Sequence, residues 1–419
     1  RSTLFPYTTL FRSPYSPVAG DGDVTEVFAE LHAPLIQDLP FAKEVSVDLG
    51  YRSSSYSAAG DAQTYKILGT WAPIEDFRLR AGFNHAVRAP NLVELFLPQT
   101  LAGNLQNDPC AGAAPTATLE QCLRTGLAAA QYGSVPGNPA GNYNSIQGGN
   151  PDLKPEEADT ITIGAVIAPS AVPNLSFTVD YFSFKVDEAI SGVGGAVVLS
   201  KCLNTGDPAF CNLVHRSPTL GSLWFRDGYV IDTNQNTGGF RTSGFDISAN
   251  YRLDWASLGT LRFSLAATHQ NDFKVRPSQG DAFYDCSGYY GATCGTPQPT
   301  WRSRTRATWE TPWGPQLSLQ WRYMSSVKLD RLSPDPALAG VSPSPALNEL
   351  GSRSYFDLST SADIGSRLLL TAGINNLLDK QPPLATTQVS SVSVQNGNTF
   401  PQVYDALGRF LFLNLSAKF

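Results

Sequence analysis

Six cysteines are the residues of this sequence whose spacing points most directly to a chemistry. They form three close pairs in stretches rich in Gly, Pro, Asn and Asp: Cys110 with Cys122, Cys202 with Cys211, and Cys286 with Cys294. No pair has the CxxC spacing and the four histidines are scattered, so we expect no zinc site. Local disulfides in an oxidising compartment are the favoured interpretation, and free buried thiols are the alternative.

Catalytic motifs do not emerge from the sequence. It contains no GxSxG, HExxH or P-loop pattern, and no carboxylate pair in a context that sets it apart. The Gly-rich stretch SGVGGAV that begins at Ser191 lacks the GxGxxG spacing and is interpreted as a loop. The net charge is -6 and no block of basic residues exists, which argues against a nucleic-acid partner. We therefore expect no enzyme activity, no metal and no cofactor.

Period-two alternation is the strongest structural signal along the chain. No apolar run approaches the roughly 20 residues that a membrane-spanning helix needs. Near residue 317, apolar residues occupy one face of a predicted strand: Leu317, Leu319, Trp321 and Tyr323. About thirteen segments of ten or more residues behave in this way: 24–35, 44–54, 63–73, 76–88, 156–168, 174–188, 237–253, 258–272, 300–311, 314–327, 352–364, 366–377 and 400–419. The sequence predicts an all-β fold.

The lengths of the segments and of the gaps between them distinguish a membrane barrel from a soluble sandwich. Sandwich strands are typically about five or six residues long, whereas these segments are about twice that length. The gaps alternate between brief turns and long loops, which is the layout of an antiparallel transmembrane β-barrel. All three cysteine pairs fall in long gaps. Four tryptophans lie beside brief turns, where an interfacial girdle would place them: Trp71, Trp255, Trp309 and Trp313.

Arginines and loop aromatics are the candidate binding residues in such a barrel. Six arginines fall at polar positions, where they would face the lumen: Arg78, Arg80, Arg262, Arg302, Arg304 and Arg306. They would attract an anionic solute or pair with acidic residues of a domain inside the barrel. Aromatic residues in the long loops would stack on a ligand or pack the loops together: Trp224, Phe225, Tyr289 and Tyr290.

The C-terminal segment Phe410 to Phe419 (FLFLNLSAKF) alternates and ends on an aromatic residue. Outer-membrane barrels commonly end in this way, and the terminal aromatic resembles the signal read by the barrel-assembly machinery. If successive strands alternate in direction, the first of the thirteen strands points the same way as this last one, and the two cannot close an antiparallel barrel. Bacterial single-chain barrels normally have an even strand number. We expect this chain to contain only part of a barrel.

Four further segments, in order along the chain, resemble TonB-dependent outer-membrane receptors. Phe83 to Phe96 (FNHAVRAPNLVELF) resembles the family's FRAP-type segment, and Gly149 to Asp159 (GNPDLKPEEAD) its N-P-x-L-K-P-E segment. Thr242 to Asp246 (TSGFD) resembles the start of a strand after a long loop, with Asp where Glu is more usual. Gly373 to Lys380 (GINNLLDK) resembles the N-N-L-x-D segment near the penultimate strand.

The resemblance implies a specific organisation and function. The family barrel has roughly 22 strands and a plugged lumen, so residues 14–419 would be its C-terminal portion, with the plug and the TonB-coupling box outside this sequence. Residues 1–13 (RSTLFPYTTLFRS) look like a translated sequencing adapter.

The expected function is TonB-energised uptake of a scarce solute across the Gram-negative outer membrane. The solute would be an iron-siderophore complex, a saccharide or cobalamin, and the partners membrane lipid, TonB, the assembly machinery and this small ligand. The alternatives are a passive porin-like channel and a secreted all-β glycan-binding protein.

Overall fold

A single antiparallel sheet dominates the computed structural model, which describes residues 17–225, 227–278, 280–386 and 397–417. Residues 1–13 and the terminal Phe419 lie outside these ranges. We number the strands of this sheet in chain order: β1 Val24–Leu39, β2 Ala42–Tyr56, β3 Gly60–Ile74, β4 Phe77–Arg88, β5 Glu156–Ile167, β6 Leu175–Gly192, β7 Asn234–Trp255, β8 Gly259–Arg276, β9 Trp301–Glu310, β10 Gln316–Met324, β11 Arg353–Ile364, β12 Leu368–Asn375 and β13 Phe410–Ala417.

Each strand pairs with the next one along the chain, from β1 to β13. The all-β class and the alternating strands predicted from the sequence are therefore confirmed. The last predicted segment was too long, because residues 400–409 form turns and the strand begins only at Phe410. Within the described residues, no pairing joins β1 to β13.

The register aligns the apolar side chains of all these strands on one face of the sheet. Leu319 of β10 lies opposite Ala307 of β9 and Leu358 of β11, whereas its neighbour Gln320 lies opposite Arg306 and Asp357. We call these the apolar face and the polar face. No described residue covers the apolar face, and Leu413 for example is 73% exposed. So wide an apolar surface is unfavourable in water and suits contact with lipid.

The two edges of the sheet carry connections of very different length. One edge has only short turns, at 40–41, 75–76, 168–174, 256–258, 311–315 and 365–367. The other edge has a short turn at 57–59 and five long loops, at 89–155, 193–233, 277–300, 325–352 and 376–409. The predicted tryptophans lie at the short-turn edge, where Trp71 Nε1 donates to the Phe41 carbonyl at 3.0 Å and Trp309 Nε1 to that of Leu258 at 2.6 Å.

The first two long loops fold together into one unit, which we call the loop domain. It has a small sheet of four strands, Thr100–Leu105, Tyr143–Gln147, Tyr229–Ile231 and Val214–His215. Its helices are Leu92–Phe96, Leu119–Arg124, Gly195–Thr205 and Pro208–Cys211, with a 3-10 turn at Ala129–Gln131. Apolar residues from both loops share one core, among them Leu105, Val135, Leu199 and Leu223.

The other three long loops form a second cluster. Short strands Tyr289–Tyr290, Val327–Leu329 and Glu349–Leu350 make a sheet, Tyr284–Asp285 pairs with β8, and 3-10 turns occupy Asp330–Leu332 and Pro345–Leu347. Residues 397–409 turn back into this cluster and bury Phe400 and Tyr404 against Tyr290 and Leu350. Lys201 of the loop domain forms an ion pair with Asp281, which ties the two units together.

All three predicted disulfides are confirmed: Cys110 with Cys122, Cys202 with Cys211, and Cys286 with Cys294. The first two lie inside the loop domain and the third lies in the 277–300 loop. No helix in the described part of the chain is long and apolar enough to cross a membrane.

Candidate functional site

The six arginines predicted from the sequence all lie on the polar face of the sheet, in three different strands. Three of them pair with acidic residues: Arg78 with Glu44, Arg80 with Asp180, and Arg262 with Glu310. Arg306 instead donates to the side-chain carbonyl of Gln320, at 3.2 and 2.6 Å. Their position toward a barrel lumen remains a prediction.

A glycine permits the pair between Arg80 and Asp180. Arg80 donates from Nε and Nη2 to the two carboxylate oxygens of Asp180 at 2.8 and 2.6 Å, although these residues are on β4 and β6. Gly164 of β5 lies between them in register. A Cβ atom at Gly164 would come within 1.8 Å of Asp180 Oδ1, so any side chain there would break this contact. Sequence reasoning missed Gly164, because its neighbours across the sheet cannot be read from an isolated strand.

A cavity of about 450 Å³ opens on the polar face over β6 to β10. This volume is within the roughly 300–1,000 Å³ typical of small-molecule sites. The charged residues that line it are Asp180, Asp246, Arg302, Arg304 and Arg322. We call it the polar-face cavity.

Two arginines of the polar-face cavity have no acidic partner among the residues that the structure describes. Arg322 is neutralised by Asp357 and Asp405, with contacts of 2.6 to 2.9 Å, and Asp180 is neutralised by Arg80. Arg302 makes only a 3.5 Å contact with Gln298. Within the described residues, neither Arg302 nor Arg304 forms an ion pair. Asp246, the second aspartate that lines the cavity, accepts a 2.6 Å hydrogen bond from the Thr268 hydroxyl. Arg302 and Arg304 are therefore the two groups of the cavity with which an anionic group would pair.

A second cavity of about 540 Å³ shares Arg304 and Arg322 as lining residues with the polar-face cavity, and residues of the segment 401–408 line both cavities. Asp405 holds the segment in place through Arg322. Sequence reasoning placed Arg322 at a polar position of β10 but did not include it among the candidate binding residues. The signal for its role was its position on the polar face.

The four loop aromatics differ in their surroundings. Trp224 Nε1 donates to the Pro136 carbonyl at 2.8 Å, and the indole packs on the loop-domain core with Phe225 edge-on at 5.8 Å. Tyr289 is half-buried. Of the two roles predicted for Tyr290, the structure favours packing of the loops over ligand stacking, because this ring is fully buried and its hydroxyl donates to the Leu347 carbonyl. Burial raises the pKa of Tyr290 to about 12, and the Asp330 carboxylate adds to the shift.

Two of the family-like segments meet at the long-loop edge of the sheet. Arg88 of the FRAP-like segment donates to both carboxylate oxygens of Glu156 in the N-P-x-L-K-P-E-like segment, at 2.6 and 2.8 Å. It also binds Glu94, which closes a capping box with Asn91 at the start of a short helix. This network fixes the point at which the chain leaves β4 and returns into β5.

Comparison with protein families identifies the chain. Residues 2–377 match the model of the TonB dependent receptor-like β-barrel. The chain belongs to this family. TonB-dependent receptors are outer-membrane proteins of Gram-negative bacteria, so the predicted location is confirmed as well. A comparison with curated proteins finds no match.

Solved structures show the same fold at low sequence identity. The ferric enterobactin receptor PfeA of Pseudomonas aeruginosa, as a mutant in complex with enterobactin, has a TM-score of 0.60 and 16% identity, covering 95% of this chain and 46% of that one. The siderophore receptor PirA of Acinetobacter baumannii has a TM-score of 0.58 and 15% identity, covering 96% and 47%. The chain thus spans just under half the length of these TonB-dependent receptors.

No group of three or more His, Cys, Asp or Glu side chains that could hold a metal ion is present among the described residues.

Proposed function

We propose that this chain is the barrel portion of a receptor that takes up a scarce anionic solute with energy transmitted by TonB. The observation that carries the proposal is the polar-face cavity with its two unpaired arginines, Arg302 and Arg304. An anionic solute gains there the charge pairing that neither residue finds among the described residues. In this role the barrel binds and admits a solute and catalyses no reaction.

Among anionic solutes we favour the iron-siderophore class. The structural relatives PfeA and PirA are named as a ferric enterobactin receptor and a siderophore receptor, and two arginines without an acidic partner among the described residues suit an anionic iron complex. Saccharide and cobalamin are the other candidates, and both lack the excess negative charge that this cavity favours. The partners of the proposal are TonB, reached through a plug domain, and the barrel-assembly machinery, which would read the end of β13.

The test is solute uptake by a Gram-negative host that expresses the receptor gene and lacks its own siderophore receptors. We expect uptake of an iron-loaded siderophore that disappears when TonB is deleted. Arg304→Glu should weaken ligand binding about tenfold or more, because one charge-assisted contact contributes about 1.5–3 kcal/mol. Arg252→Glu is the matched control, since Arg252 is an exposed arginine of β7 that pairs with Asp254 away from the cavity.

A passive porin-like channel would give the opposite result. Its uptake would continue without TonB, would not saturate at low solute concentration, and would respond equally to both arginine variants. A secreted glycan-binding protein would be recovered in soluble fractions without detergent. The exposed apolar face of the sheet argues against this alternative.

A further inference from the structure

A second concave site lies in the loop domain, away from the polar-face cavity. It is a cleft of about 580 Å³ between the segment 104–109, the first turn of the helix Leu119–Arg124 and the helix Gly195–Thr205. We call it the amide cleft. It shares no lining residue with the polar-face cavity, so the two sites can be tested independently.

The rim of the amide cleft is made mainly of side-chain amides: Asn104, Gln106, Asn107, Gln121 and Asn204. Hydroxyls of Thr116 and Ser200 add to them, and the apolar floor includes the buried Leu199 and Leu203. None of the residues that line it, all within the described part of the chain, is charged. The cleft therefore offers hydrogen bonds above an apolar base and no ion pairing.

Some of these amides are fixed and others are open to a ligand. Gln121 accepts from the Thr118 backbone N–H at 2.9 Å and donates to Asn204 Oδ1 at 3.2 Å, which orients both amides. Gln106 and Asn107 are exposed and make no hydrogen bond within the described residues. Each of these two amides presents an acceptor oxygen and two N–H donors.

The walls of the cleft are held rigidly. The segment that carries Gln106 and Asn107 continues into Asp108, whose buried carboxylate is bound by Arg216. Disulfides fix Cys110 to Cys122 on one wall and Cys202 to Cys211 on the other. A preformed cleft loses less freedom on binding, which favours affinity for a small ligand.

We propose that the amide cleft binds a neutral saccharide. Sugar hydroxyls both donate and accept, as amides do, and the C–H faces of a sugar ring can rest on the apolar floor. An anionic ligand would gain no charge pairing here. The site goes beyond solute capture by the polar-face cavity and would let the receptor bind a neutral glycan at the long-loop end of its barrel.

The test is binding of the detergent-solubilised full chain to an array of neutral oligosaccharides built from glucose, galactose, mannose and N-acetylglucosamine. Affinity for the best neutral glycan is then measured in solution for the unaltered protein and for variants. Gln106→Ala with Asn107→Ala should weaken binding about tenfold or more, because two neutral hydrogen bonds are lost. Ala196→Trp, which fills the cleft from the helix Gly195–Thr205, should abolish binding.

Asn212→Ala is the matched control, because Asn212 is an exposed amide of the loop domain that does not line the cleft. Intact disulfides in every variant, shown by the absence of reactive thiols, exclude misfolding. Binding to no neutral glycan, equal loss in Asn212→Ala, or unchanged binding in Ala196→Trp would overturn the proposal. None of the cleft variants should change TonB-dependent uptake, so failure here is separable from failure of the proposed function.

Discussion

Breaking the buried ion pair between Asp108 and Arg216 should destabilise the loop domain by about 3–5 kcal/mol. The two side chains are 0% and 2% exposed and bind each other at 2.8 and 2.9 Å. Arg216 also donates to the Thr125 hydroxyl at 2.7 Å and to the Gly221 carbonyl at 2.9 Å, so the guanidinium joins both long loops. In Asp108→Ala the guanidinium remains buried without its counter-charge, and this accounts for the size of the effect.

The assay is native-state hydrogen exchange, read by mass spectrometry on peptides of the loop domain. A loss of 3–5 kcal/mol corresponds to exchange that is roughly a hundred- to several-thousand-fold faster, at about 1.4 kcal/mol per tenfold change. Peptides from β9 and β10 should keep their exchange rates and serve as the internal reference.

Two variants make this prediction specific. The double variant Asp108→Leu, Arg216→Met should regain at least half of the lost protection, because an apolar pair leaves no unpaired buried charge. Glu120→Gln removes the exposed helical pair with Arg124 and should change stability by about 0.5 kcal/mol or less. Unchanged exchange in Asp108→Ala would refute the argument that this pair holds the loop domain together.

Further predictions concern the sheet, the second loop cluster and the cysteines. Leu319→Arg on the apolar face should lower the free energy of unfolding by about 2–4 kcal/mol if the residue lies near the bilayer midplane, as measured by urea unfolding in lipid. Ser318→Arg on the polar face should lower it much less. Equal effects of the two variants would contradict the assignment of faces. The pKa of Tyr290 is raised to about 12 in the folded chain and is about 10 when unfolded, so its contribution to stability is complete below pH 10 and is lost as the pH rises to 12. Tyr290→Phe should reduce the slope of stability against pH in this window, and an unchanged slope would contradict the burial argument. Thiol labelling of the denatured, unreduced protein should find no free cysteine, and labelling of any of the six would contradict the pairing.

The sheet could be predicted from the sequence because alternation is a local property. The spacing of Leu317, Leu319 and Trp321 predicts that they share a face, and no neighbouring strand needs to be known. The long gaps between segments likewise predict the edge of the sheet that carries the long loops. The start of the last strand was harder to place, because residues 400–409 contain apolar residues that pack into the second loop cluster and do not belong to the strand.

The site was only partly predictable. Alternation predicts that the arginines lie on the polar face. Which of them lacks an acidic partner depends on the register between strands, as the ion pair of Arg80 with Asp180 across Gly164 shows. Asp108 and Arg216 are 108 positions apart, and no local pattern links them. Tyr290 resembles any loop aromatic until the segment that buries it, around Phe400 and Tyr404, is known.

The most direct test of the account is whether the apolar face contacts lipid. Spin labels attached to single cysteines introduced at residues 317 to 321 of β10 would be measured in outer membranes, where the six native cysteines are blocked as disulfides. We predict that labels at 317, 319 and 321 are accessible to lipid-dissolved oxygen and shielded from a water-soluble nickel complex, and that labels at 318 and 320 are not accessible to oxygen. Equal accessibility along the strand, or the reverse alternation, would contradict the assignment of this chain's apolar face to the membrane.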